Sequence, residues 1–219
     1  MNILSYQPNI DTSLNMMGFI YTALQSFVNC IVDFRIMTLS EQCSLLQRNM
    51  RGIFAFYCIF IFRESGIFYN QHTENAVLPL YGYKNVQSTK SLIQRLEYDG
   101  TLFKLMLSSL IFSSNCFTIS QEDNINDDCL LLGTFRLFGS QNFYVELLWK
   151  YMLYRYGFYE TIRRFDGMIK IALDSLQLCS NITERNKLHQ EYIDDIADQC
   201  EHVLKLNGTE DTPLWGKKQ

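Results

Sequence analysis

Residues Ile53–Phe62, IFAFYCIFIF, are apolar along their whole length, so the element they form has no side to offer water. A helix needs about 20 such residues to cross a bilayer, and this run is far shorter. A helix that is apolar all round belongs in the middle of a folded domain. The rest of the chain must therefore cover this segment on every side. It has the material: of 219 residues, 47% are hydrophobic and 14% aromatic, enough for one domain with a substantial core. Only 3 prolines and 11 glycines interrupt it, which favours an all-α fold. The net charge of −4 argues against broad electrostatic binding to nucleic acid. The 7 cysteines are scattered with no C-x-x-C pair, which speaks against a zinc module and for free, mostly buried thiols in a reducing compartment.

Apolar periodicity divides the chain into helices. Met16, Ile20, Leu24, Phe27 and Ile31 recur at helical spacing, with Asp11 or Thr12 as N-cap, leaving 1–11 as an N-terminal stub. A turn through Asp33–Phe34–Arg35 leads to a helix or bent helix pair from Ser40 to Phe62. Thr38 or Ser40 caps it, and Glu41 sits in its first turn, where a carboxylate suits the helix dipole. Between Arg63 and Gln87 the period is lost. Phe68–Tyr69, Val77–Leu78 and Leu80–Tyr81, with Pro79 and Gly82, read as short strands or turns. Helices follow at Ser88–Leu96, at Thr101–Phe112 with Asp99 as cap, at Phe143–Tyr156 ending on Gly157, and at Tyr159–Leu178. The last of these carries a stripe of Ile162, Phe165, Ile169, Leu173 and Leu176. An acidic insert, Ser120–Asp128, reads as a solvated loop, a final amphipathic helix spans Thr183–Leu206, and 207–219 form a disordered tail.

The order of residues across the first bend, FVNCIVDFRIMTLSEQCSLLQ at Phe27–Gln47, resembles the signature of nuclear-receptor ligand-binding domains. In that family the third helix, a loop and an acidic–Gln–x–x–Leu–Leu helix occur in this register. Phe27, Ile31, Phe34, Leu39, Glu41, Gln42, Leu45 and Leu46 fill the matching positions. The resemblance extends over Thr12 to about Leu178 and is closest to the vitamin D and ecdysone receptor branch. It implies a three-layer antiparallel helical sandwich with a small β-hairpin at 63–87, the family's first two helices being missing or reduced.

Functionally, the resemblance implies a nuclear regulator of transcription. Its ligand would be an apolar small molecule of sterol or fatty type, bound or replaced by self-filling side chains at Met17, Ile20, Leu24, Phe54, Tyr57, Cys58 and Ile61. Ile20 and Ile61 stand where retinoid-type receptors carry polar anchors for a carboxylate, so such an anchor is lacking; Arg63 would substitute only if the helix bends. A coregulator bearing a Leu-x-x-Leu-Leu helix would dock at Val28, Asn29, Ile31, Gln42, Leu46 and Gln47. Asn29 and Gln47 are uncharged where the family has a cationic clamp, which weakens that half of the site and favours a ligand-independent or repressing receptor. Tyr192–Ala197, YIDDIA, is the nearest match to the activation helix, with Asp for Glu. A homo- or heterodimer with another nuclear receptor would use Arg163, Arg164, Phe165, Met168 and Leu176. Gly52 replaces the Glu that braces many dimerising members. DNA would be reached only through a zinc module that is absent from this chain, and no membrane role is expected.

No enzyme is expected. His72, His189 and His202 share no ligand spacing, and no Gly-rich phosphate loop, nucleophile elbow or metal motif occurs, so neither metal nor cofactor is called for. The alternative class is a helical dimerisation or interaction module without a ligand.

Overall fold

The computed structural model describes residues 8–96, 99–113 and 128–187, together with 190, 191, 194 and 195. The fold is all-α. Its elements are α1 (Pro8–Cys30), α2 (Val32–Arg35), α3 (Leu39–Ser65), a 3₁₀ turn (Ile67–Tyr69), α4 (Gln71–Arg95), α5 (Gly100–Ile111), α6 (Asp128–Tyr156) and α7 (Phe158–Arg185).

The apolar run lies in α3, which packs against α1, α4, α5, α6 and α7. Ile53 and Phe56 are fully buried, and Phe54, Ile59 and Phe62 nearly so. Phe103 of α5 stacks on two of its rings, Phe56 at 4.8 Å and Phe60 at 4.0 Å. α3 begins with a reciprocal cap. The Glu41 N–H donates to Thr38 Oγ1 at 3.2 Å, and the Thr38 N–H donates to Glu41 Oε2 at 2.9 Å. Of the two candidate caps, Thr38 is therefore the one used. α3 is one helix, not a bent pair, and closes on Gly66 at φ 63°, a left-handed conformation suited to glycine.

The hairpin expected within 63–87 is not formed. Those residues are the end of α3, the 3₁₀ turn, the first arm of α4 and the start of its second arm. The strand-like pairs mislead because their apolar residues serve a helix face. Val77 is buried in the core, and Asn70 starts the helix by accepting from the His72 N–H at 2.9 Å. The turn signals are real but act differently. Gly82, at φ 74° and ψ 157°, breaks α4 into two arms just after Pro79.

Other boundaries also move. α1 starts at Pro8, before Asp11 and Thr12, because proline suits a first turn, where its missing N–H costs nothing. α6 extends well before Phe143, and α7 runs through Thr183 to Arg185 before Asn186 leaves helical geometry at φ −128°. Thr183 therefore does not open a separate helix. The acidic insert before Asp128 and the tail 207–219 lie outside the described residues. Among the described residues, no helix is long and apolar enough to cross a membrane.

Candidate functional site

The bend after α1 is a joint held by side chains. Ile31 is extended, at φ −75° and ψ 120°, so α1 ends and the single turn of α2 begins. The Gln42 amide of α3 reaches back and donates to the carbonyls of Phe34 and Met37, each at 3.1 Å. Phe34 lies in α2 and Met37 two residues beyond its end, so this one amide spans the turn between α2 and α3. Two further contacts bind the joint to α6. Tyr144 donates its hydroxyl to Asp33 at 2.9 Å, and Arg136 pairs with Glu41 at 2.8 Å. Burial, reinforced by the Asp33 carboxylate, holds the Tyr144 hydroxyl well above the ordinary tyrosine range. Its ring lies parallel to Phe112 at 5.6 Å.

The apolar interior between α1, α3, α4 and α7 contains a cavity of about 70 Å³. Three of the expected ligand residues, Met17, Phe54 and Cys58, line it. The others are dispersed. Leu24 is fully buried in the core. Tyr57 turns toward Phe103, with ring centroids 6.3 Å apart. Ile20 and Ile61 line a separate surface groove of about 320 Å³ beside Met16 and Phe19. Phe68 and Tyr81 also fill the interior, and α7 adds Leu178, Cys179 and Ile182. These contributors follow from the path of α4 and α7, so no local sequence pattern marks them. Burial pushes the Cys58 thiol well up, and Cys179 nearby adds to the effect. The Arg63 guanidinium donates to the Ile93 carbonyl of α4 and does not line the cavity.

At the expected coregulator surface, Val28, Ile31 and Leu46 are buried, whereas Asn29 is exposed. Gln42 is engaged in the joint. The Gln47 side chain lies outside what is described. In the YIDDIA segment Asp194 pairs with Arg51 of α3, a partner that separation in sequence hid. Tyr192, Ile193, Ile196 and Ala197 lie outside the described residues.

The expected dimer residues divide by face. Arg163 and Arg164 both hold Glu160, at 2.5 and 2.7 Å, and lower its carboxyl to about 2. Phe165 meets Trp149 edge-on at 5.5 Å, and Met168 points into the core. The outward residues are Phe158, Ile162, Ile169 and Leu173. Their rows along α7 form an apolar stripe in water, flanked by the Lys170–Asp166 and Arg95–Asp174 pairs. Phe158, Ile162, Ile169 and Leu173 recur at helical spacing and so share one face of α7.

Among the described residues, no group of His, Cys, Asp or Glu is arranged to hold a metal ion. Compared with known proteins, the chain matches no family model, no curated protein and no solved structure.

Proposed function

We propose that the chain is the ligand-binding-type domain of a divergent nuclear receptor, acting in the nucleus on transcription through protein contacts and without a sterol-sized ligand. The observation that supports the family reading is the joint: the signature residue Gln42 ties the bend at Phe34 and Met37 to the start of the central helix. In this reading α3 forms the middle layer of a three-layer stack; it packs on α1, α4, α5, α6 and α7, and α6 and α7 also meet each other. The cavity of about 70 Å³ supports the ligand-independent variant, because small-molecule pockets run to roughly 300–1,000 Å³. The exposed stripe of α7 is the dimer face, with Ile162, Ile169 and Leu173 at its centre.

The test is a reporter assay with the chain fused to a heterologous DNA-binding module. Activation or repression without added ligand is expected, and a fusion inert in both directions counts against the proposal. Native mass spectrometry of gently purified protein should show dimer mass without a co-purifying lipid. A stoichiometric lipid would restore the ligand-gated form. Titration with a fluorescent Leu-x-x-Leu-Leu peptide should give weak binding, since Asn29 offers no charge to the peptide's helix end.

A further inference from the structure

The two arms of α4 fold back at Gly82, and a polar cleft of about 440 Å³ opens between them and the 3₁₀ turn. Its volume falls in the small-molecule range, unlike the interior cavity. Lys90 of the second arm pairs with Glu74 of the first at 2.7 Å, and each side chain is only about a quarter exposed, at 26% and 23%. The exposed Tyr69 ring supplies apolar surface, over Phe68 and Ile93 that are themselves nearly buried, and Gln71 and Gln94 supply amides. A partly desolvated ion pair beside aromatic surface therefore lines an open cleft, apart from the joint and from the α7 stripe.

We propose that this cleft binds a free α-amino acid with an aromatic or branched side chain. The charge pattern selects that class. The Lys90–Glu74 contact uses one of the three ammonium N–H donors and one of the two carboxylate oxygens. A zwitterion adds its carboxylate beside Lys90 and its ammonium beside Glu74, so the local charge stays balanced. A ligand with a single charge leaves an unmatched charge in a partly dehydrated site, which is costly. The side chain of the amino acid lies on the exposed Tyr69 ring, while Gln71 and Gln94 offer hydrogen bonds at the edge.

The test uses the full 219-residue chain and saturation-transfer NMR with L-phenylalanine and L-leucine, against phenylacetate, phenethylamine and N-acetylphenylalaninamide. Both amino acids should bind at micromolar to millimolar concentration, and each of the other three at least tenfold more weakly. Because Glu74→Gln or Lys90→Met alone strands a charge, the decisive variant is the double Glu74→Gln/Lys90→Met. With an unchanged thermal melt, it should lose affinity for phenylalanine at least tenfold. No transfer from either amino acid, equal binding of the singly charged analogues, or unaltered binding by the double variant overturns the proposal and leaves the pair as a brace between the arms. None of these outcomes bears on the reporter and dimer tests of the receptor reading.

Discussion

Asn49 on α3 donates its side-chain amide to two carbonyls at the end of α5, Ile111 at 2.9 Å and Ser113 at 2.6 Å. A helix end leaves its last carbonyls without partners, and this end is covered by protein. Asn49 is itself almost completely buried, so no bulk water replaces it. Asn49→Ala should destabilise the fold by about 1–3 kcal/mol, the cost of stranding buried polar groups. Urea denaturation would show this as a lower midpoint with an unchanged slope.

Asp99 gathers donors from two elements. It accepts from the Thr101 and Leu102 N–H groups at the start of α5, and from the Tyr151 and Tyr156 hydroxyls of α6. Burial pushes its carboxyl up, but the bonds from Leu102, Tyr156, Tyr151 and Thr101 together outweigh it and hold it below the ordinary range. A carboxyl lowered on folding contributes stability above its unfolded pKa, about 3.9, and loses that contribution as pH falls through the folded value. Asp99→Ala should cost about 1–2 kcal/mol at pH 7, as for a lost helix cap. The gap between wild type and variant should narrow below about pH 4 in parallel urea titrations.

The α7 stripe separates association from folding. Ile169 and Leu173 are exposed, at 37% and 59%, while Met168, Ile171 and Ala172 beside them are buried. Ile169→Asp with Leu173→Asp should give a monomer by analytical ultracentrifugation. The unfolding free energy of that monomer, compared with wild type diluted to monomer, should change by no more than about 0.5 kcal/mol per site, as for exposed substitutions. Met168→Asp should instead unfold the chain, because it buries an unpaired charge.

Phe62 lines the interior cavity and packs on Phe68 at 4.7 Å. Phe62→Ala should cost about 3–5 kcal/mol. The enlarged space should then admit a small aromatic guest. Toluene should raise the melting temperature of the variant and leave the wild type unchanged, which distinguishes an interior filled by its own side chains from one awaiting a ligand.

The apolar run from Ile53 to Phe62 required a central helix, and the Thr38 and Asp99 caps were legible because a cap is decided within four residues. Gln42 was legible as part of a register, though not as the residue that bonds Phe34 and Met37. The segment 63–87 reads as strands because Val77 and the aromatic pairs beside Pro79 and Gly82 locally favour extended backbone, a preference the tertiary structure overrides. Burial of Val77 against the core decided for the kinked helix. Along α7, the stripe was visible as a period, but not which of its residues faced water.

Local chemistry in the sequence thus determined the helical class, the element that had to be central and where several helices begin. The tertiary structure decided the pairings across long separations: Arg51 with Asp194, Glu41 with Arg136, Asn49 with Ile111, and Lys90 with Glu74 across the kink. It also decided that the space left between the helices is only about 70 Å³. A helix period constrains which residues share a face, but the space between faces depends on how several helices cross, and side chains far apart in sequence fill it together.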